Sequence, residues 1–499
     1  MLARVPTFTI DGLEPRLVAV EVDVRPGLPS FTIVGLGDLA VREARERVRA
    51  ALGNQGYDLP QRRITVNLAP ASLPKGGPGF DLPIAIGVLA ASGQLVAPDL
   101  DRVAVVGELS LGGAIRPGRG ALVVAEGARA AELHAVVLPR GQTAEAALVP
   151  DLAVRGVTTL REAAAAVADS GRDDRQPSLE AEAAPWDGPD MADVRGQRMA
   201  RRALEIAAAG SHSLLLVGPP GTGKTMLARR LPGLLPSLDA REALEVTRIH
   251  SVCGLHDGRG LVTARPFRAP HHGTSSAGLV GGGSAGAIRP GEVTLAHRGV
   301  LFLDELPEFR RDALEALRQP LEDARVVLVR AGCTRGFPSR VLLVAAANPC
   351  PCGHHPAPRC RCTPADLERY RRRLSGPLLD RIDLHVACPR PSGAEIAGPP
   401  ADSSATIRAR VETARTFRNE RRAADGPRPL DVDLDGDARA MLEHCYASGA
   451  LSARGRARVL RLSRTIADLD GTVAIADRHL AEALQLRQQV AEDVPEQAA

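Results

Sequence analysis

The chain is 499 residues long, with 63 basic and 59 acidic residues for a formal charge of +4, and it is 44% hydrophobic but only 2% aromatic. A chain of that length and apolar content has material for roughly two to four domains, each with its own core. The near-balance of charge excludes a general polycation. With so few aromatics to stack on bases, any nucleic-acid contact would fall to local arginines and backbone donors on phosphates.

In chain order, residues 1–168 alternate β-like runs (Leu17 to Val24, Ile64 to Leu68, Val103 to Val106, Ala135 to Leu138) with helical stretches at Leu39 to Leu52, Asp81 to Ala91 and Leu122 to Ala131. That alternation predicts an α/β domain. Met1 to Val24 carries Asp11, Glu14, Glu21 and Asp23 and has no signal-peptide core. Apolar stretches such as Ile84 to Ala91 fall far short of the ~20 residues that cross a bilayer, so a cytoplasmic protein with no membrane partner is expected. Residues 169–189 are polar, acidic and Pro-containing, which predicts a linker. A second α/β region fills 190–390, and 391–404 is a second linker rich in Pro, Gly and Ser. Residues 405–495 read as helical throughout, with Arg-rich faces and a frayed end. The expected fold class is therefore α/β multidomain with a C-terminal helical domain.

Lysine occurs only at Lys75 and Lys224, every other basic residue being arginine. Lys224 sits in Gly218-Pro219-Pro220-Gly221-Thr222-Gly223-Lys224-Thr225, a complete phosphate-binding loop. A compact ammonium fits between β- and γ-phosphates where a planar guanidinium does not, so the exception is informative. The apolar run Leu214 to Val217 precedes the loop and Met226 to Leu231 continues as helix. Strand, glycine loop and helix start, in that order, aim backbone N–H groups at phosphates. ATP is the expected ligand.

About 80 residues on, Gly299 to Leu303 ends in Asp304-Glu305. Asp304 would hold Mg²⁺ together with the Thr225 hydroxyl, and Glu305 would polarise the attacking water. The strand Val341 to Ala347 ends at Asn348, which places an amide where γ-phosphate and water meet. Arg381, in Ser375 to Asp383, is expected to face a neighbouring subunit's nucleotide and supply charge in trans, and Arg454, at the start of an Arg-rich helix, is the candidate second phosphate sensor. Among so many arginines a solvated face is the competing reading for both.

Cys350-Pro351-Cys352 and Cys360-Arg361-Cys362, in a loop that also holds His354 and His355, are spaced to form a tetrahedral Zn²⁺ site, with metal-free reduced thiols as the alternative. Cys253, Cys333, Cys388 and Cys445 are scattered and read as ordinary small residues.

Arg268-Ala269-Pro270-His271-His272, Gly278 to Gly283, Arg289 to His297, Leu303 to Phe309 and Asn348-Pro349-Cys350-Pro351-Cys352-Gly353 together resemble the magnesium-chelatase-like AAA+ ATPases of the ComM/YifB family, and the match runs through almost the whole chain. The resemblance implies a Lon-protease-like (S5-fold) N-terminal domain, an AAA+ core and a helical lid. It puts Lys224, Thr225, Asp304, Glu305 and Asn348 on the family's nucleotide-site positions. It also implies a ring, in the known motors a hexamer, driving branch migration of DNA during natural transformation. The ATPase subunit of a magnesium chelatase and an ATP-dependent protein-remodelling factor are the other readings. The fused first domain speaks against the chelatase.

Two segments would meet the substrate of such a ring: the glycine-rich insertion Arg265 to Gly286, and the hairpin Arg325 to Arg340 with its turn at Ala331-Gly332. Arg330, Arg335 and Arg340 either contact phosphates in the pore or pair with neighbours such as Glu322 and Asp323. Leu73 to Leu82 resembles the Lon loop that carries the nucleophilic serine, but the aligned position is Gly79 and no lysine follows Gly107 to Gly113. No peptidase activity is expected of this domain. Lys75 would bind a phosphate or a partner carboxylate, or serve the loop structurally.

Overall fold

The computed structural model describes residues 1–35, 37–169, 186–283, 288–330, 333–373, 379, 381–426 and 429–488. The calls on the 169–189 linker, the tip of the 265–286 insertion, the Ala331-Gly332 turn, most of 375–380 and the frayed end fall largely or wholly outside those residues.

The first domain is built on a four-stranded sheet ordered Leu2–Asp11, Glu14–Arg25, Arg63–Ala69, Ser30–Val34. Val18, Val20, Val22 and Val24 alternate inward along the second strand, the period expected of a half-buried strand. The hairpin closes at Gly12, whose φ of +70° suits a residue without Cβ, and Asp11 pairs with Glu14 across it. The helix Asp81–Ala91 is buried along nearly its whole length. A Cβ on its Gly87 would lie 2.5 Å from Val22 Cγ2, so glycine lets the helix seat on the sheet. A parallel sheet of Val103–Val105, Ala135–Pro139 and Ala153–Val157 completes the domain.

The second region carries five parallel strands ordered Phe267–Arg268, Val300–Leu303, Leu342–Ala347, Leu214–Val217, Leu384–Ala387. Their near-continuous apolar runs are explained by burial on both faces. Leu214, Leu216, Phe302, Val344 and Ala346 point into one cluster with Leu204 and Ile206 of the helix Arg198–Gly210. Leu215, Leu301, Leu303, Leu343 and Ala345 point into another with Leu306, Phe309, Leu314 and Leu317.

The C-terminal helices Ser404–Asp425, Gly436–Ala447, Ala453–Leu469 and Asp477–Gln488 share the first of those clusters through Ile407, Val411, Val459 and Leu462. Polar ties reinforce the seam. Arg415 and Arg418 donate to the carbonyls of Ala208 and Ala209 at 2.6 and 3.3 Å, covering acceptors that the end of the Arg198–Gly210 helix leaves open. Asp383 of the core faces Arg458 and Arg461 of the lid, each at 3.7 Å, and His212 at 3.5 Å.

The first domain also docks on the core. Arg325–Arg330 and Cys333–Pro338 form an antiparallel hairpin whose Val326, Leu328 and Phe337 share an apolar cluster with Leu13 and Ile249. Arg335 takes neither partner anticipated from its neighbourhood. It pairs with Asp11 in the first domain (Nε–Oδ1 2.5 Å), while Glu322 is occupied by Arg381. Beside this contact, Glu145 of the first domain accepts from Leu122 N–H (2.9 Å) and the Ser251 hydroxyl and lies 3.3 Å from His256 Nδ1, carboxylate and imidazole both almost wholly buried. Burial pushes the Glu145 carboxyl up, but the hydrogen bonds from His256, Ser251 and Leu122 outweigh it and hold it below its ordinary value. The same bond raises the His256 imidazole.

Candidate nucleotide site

The C-terminal ends of the five parallel strands open on one edge, where ligands of such sheets sit. Leu214–Val217 runs into Gly218, where a Cβ would stand 2.2 Å from the Cys388 carbonyl oxygen. Gly221 and Gly223 have φ of +76° and +90°, and Thr222 Oγ1 donates to Pro219 O at 3.0 Å. Lys224 then opens the helix Lys224–Arg230.

Lys224 is 9% exposed, and its ammonium donates to Gly218 O at 2.7 Å, Pro219 O at 3.0 Å and Asn348 Oδ1 at 3.2 Å. Burial lowers the pKa of this amine. Thr225 Oγ1 donates to Asp304 Oδ2 at 2.7 Å, and Asp304 Oδ1 accepts from Glu305 N–H at 2.9 Å. A hydroxyl and a carboxylate this close offer hard oxygen ligands that fit Mg²⁺, the other positions falling to phosphate oxygens and water. Glu305 has φ of +51°, sparsely populated for a residue with a Cβ, so its backbone is held in a strained turn just past the strand. Asn348 stands at the end of Leu342–Ala347, and its carbonyl accepts from Tyr370 Oη at 3.1 Å. Lys224, Thr225, Asp304, Glu305 and Asn348 are thus brought to one edge by three adjacent strands.

His272 is the residue that sequence reasoning missed. Its Nδ1 lies 3.1 Å from Glu305 Oε2, and its ring meets Phe309 edge-on. It follows Phe267–Arg268, the strand beside the one that delivers Glu305. The Ala-Pro-His-His run was visible, but a two-residue strand gives no periodicity from which to place it.

The arginines behave differently. Arg381 Nη2 lies 2.6 Å from Glu322 Oε1 of the same chain, with the guanidinium 18% exposed. Arg454 stands exposed on the first turn of Ala453–Leu469, apart from the contacts that join the five residues above. Lys75, 1% exposed, donates to the Pro70 carbonyl and lies inside its own loop, which is the structural alternative foreseen for it. At Gly79 a Cβ would meet Val106 Cγ2 at 3.4 Å, so packing there leaves a little room for a side chain.

The four clustered cysteines converge, with one sulfur from each of Cys350, Cys352, Cys360 and Cys362 inside a 4.8 Å sphere of mutual distances. All-sulfur donors suit a soft or borderline cation.

Residues 190–396 match the family described as Magnesium chelatase, subunit ChlI; residues 20–142 match Subunit ChlI of Mg-chelatase; and residues 401–487 match Magnesium chelatase, subunit ChlI C-terminal. An uncharacterized protein of Mycobacterium tuberculosis is 44% identical over 503 residues, covering 98% of this chain and 99% of its own. YifB of Escherichia coli is 42% identical, covering 97% of each chain. Competence protein ComM of Haemophilus influenzae is 42% identical, covering 96% of each.

Proposed function

Since the chain belongs to the ComM/YifB family of magnesium-chelatase-like AAA+ ATPases, we propose that it is an ATP-driven motor acting on DNA, with branch-migration or helicase activity in natural transformation or recombination. The observation that carries the ATPase part is the junction of Lys224, Thr225, Asp304, Glu305 and Asn348 at one sheet edge. The DNA part is supported by similarity over nearly the full length to a protein named for competence.

In this reading the backbone N–H groups of Gly221 to Thr225 cradle the phosphates, and Lys224 exchanges its carbonyl partners for phosphate oxygens. Bound Mg²⁺, held through Thr225 and Asp304, would neutralise charge developing between the phosphates. Glu305 takes the proton of the attacking water, His272 holds its carboxylate in place, and Asn348 orients water against the γ-phosphate. The subunits form a ring, a hexamer by analogy. Arg381 acts in trans by leaving Glu322 for the neighbour's nucleotide, and Arg454 senses it from the lid. Residues 1–168, 190–390 and 405–495 are the three working units, the first without peptidase activity because Gly79 stands in for a nucleophile. The cofactors are ATP and Mg²⁺, with Zn²⁺ at Cys350, Cys352, Cys360 and Cys362, and the protein works in the cytoplasm.

The matches to magnesium-chelatase subunit families favour a second reading, the ATPase subunit of a metal chelatase. The match of residues 20–142 to one of them removes the first domain as an argument against it. Steady-state ATPase rates with single-stranded, duplex and branched DNA, with Glu305→Gln as the blank, separate the two. Stimulation by DNA, strongest with branched DNA, is the expected result. A rate indifferent to every DNA transfers the weight to a chelatase or protein partner.

A further inference from the structure

The segment that follows Asn348 leaves the sheet, runs through Cys350, Cys352, Cys360 and Cys362 without regular structure, and enters the helix Pro364–Arg373. Tyr370 on that helix donates its hydroxyl back to the carbonyl of Asn348 at 3.1 Å, so the excursion closes where it began. Inside it, Cys350 Sγ lies 3.4 Å from Cys352 Sγ and 3.8 Å from Cys360 Sγ, and Cys352 and Cys360 are 3.6 Å apart. A tetrahedral ion with Zn–S of about 2.3 Å sets its sulfurs about 3.8 Å from one another. The His355 N–H donates to Cys350 Sγ at 3.3 Å, and backbone N–H groups of Arg361 and His354 point at Cys352 Sγ, a set of donors suited to thiolates. Among the described residues no carboxylate enters the cluster.

This knot touches the phosphate loop. Gly353 is buried at φ +79°, and a Cβ there would stand 2.5 Å from Pro220 Cδ and 2.7 Å from Pro220 Cγ. Four residues earlier the same strand end presents Pro349 after Asn348, whose amide oxygen accepts from Lys224. The cysteine segment thus bears on the nucleotide site at two points, the Pro220 ring and the Lys224 ammonium.

We propose that Zn²⁺ bound by the four thiolates fixes Gly353 against Pro220 and Asn348 against Lys224, so that the shape of the phosphate loop, and with it nucleotide affinity, depends on the metal. The inference rests on the zinc reading of the cysteines and the ATP reading of the loop. It assigns the metal a task that neither supplies. A metal that merely stapled its own segment would leave the phosphate loop indifferent to its removal.

The test uses the full chain. Zinc is counted by plasma mass spectrometry, and binding of a fluorescent ATP analogue is titrated with wild type, Cys352→Ser, Cys362→Ser and Gly353→Ala. Expected are about one zinc per wild-type chain, none in the cysteine variants, and a roughly tenfold loss of affinity in them. Gly353→Ala keeps its zinc, which guards against simple unfolding, yet loses affinity about fivefold or more through its clash with Pro220. Wild type purified without zinc overturns the metal reading. Wild type that fails to bind the analogue overturns the ATP reading. Stoichiometric zinc with all variants binding within twofold of wild type overturns the coupling alone.

Discussion

Lys224→Arg keeps the charge of the phosphate loop and should nevertheless disable it. The ammonium nitrogen stands 2.7, 3.0 and 3.2 Å from Gly218 O, Pro219 O and Asn348 Oδ1 and donates to each, in a pocket that leaves Lys224 9% exposed. A guanidinium presents its donors in one plane from a larger head, so it can satisfy neither that three-way set nor a point between two phosphates. Each hydrogen bond to a charged group contributes about 1.5–3 kcal/mol, so losing the equivalent of two costs about 3–6 kcal/mol. At about 1.4 kcal/mol per decade, Kd for ATP rises by roughly two to four orders of magnitude. Titration of a fluorescent ATP analogue in Mg²⁺ buffer, on protein whose thermal unfolding is unchanged, gives the number. An arginine variant that binds within fivefold of wild type refutes the reasoning. The sign with pH follows from burial, which lowers the Lys224 amine below its ordinary value in the free protein. Binding by the ammonium is complete below that lowered pKa and fades as pH rises through it, whereas Lys224→Arg shows no such decline.

Three further outcomes are expected. Glu305→Gln preserves size but cannot take a proton, so turnover falls at least about 100-fold while ATP affinity stays within a few-fold; wild-type turnover in that variant would remove Glu305 from the role of base. Glu145→Gln strips the buried His256 of its charged partner and loosens the first domain from Ala240–Cys253 by about 2–4 kcal/mol, read as faster amide exchange in that helix. The carboxylate's contribution is present above its ordinary pKa and lost as pH falls through the lowered one. The imidazole's is complete below its ordinary pKa and lost as pH rises through the raised one, so wild-type docking weakens at both ends. Asp383→Asn leaves Arg458, Arg461 and His212 without their shared anion and destabilises the lid against the core by about 2–3 kcal/mol. Trp186, the one tryptophan of the sequence, packs on Gly233, itself held by Arg408 of the lid, so its emission follows this unfolding in urea. Burial raises the Asp383 carboxyl, but His212 and the two arginines pull it below its ordinary value, so the gap between variant and wild type is full above the ordinary value and should close as pH falls through the lowered one. A gap unchanged by acid would show that the charge is not what holds the lid.

What the sequence made legible was what is local and doubly buried. Leu214–Val217, Val300–Leu303 and Leu342–Ala347 are apolar on both faces, so each announces itself as an uninterrupted run and delivers the segment that follows it to the site. Leu2–Asp11 went unread because Arg4 and Pro6 break its pattern, which a strand at the end of its sheet tolerates. Phe267–Arg268 is too short to show any period, and His272 was hidden with it. The bond of Arg335 to Asp11 joins residues 324 apart in sequence, and no window of local composition contains both. Spacing pointed to a shared metal for four cysteines, but the seating of their segment against Pro220 through Gly353 is a property of the folded chain alone.

A protein this short of lysine is nearly inert to amine chemistry. Apart from its amino terminus, an acylating reagent finds two targets, Lys75 and Lys224, 1% and 9% exposed. The first is sealed in its own loop, and the second is covered further whenever a nucleotide lies over it. Modification of the folded chain therefore reads out, at one atom, the fraction of time the phosphate loop stands empty. Nucleotide occupancy of the chain becomes countable from the mass of the intact protein, without any label placed on the nucleotide.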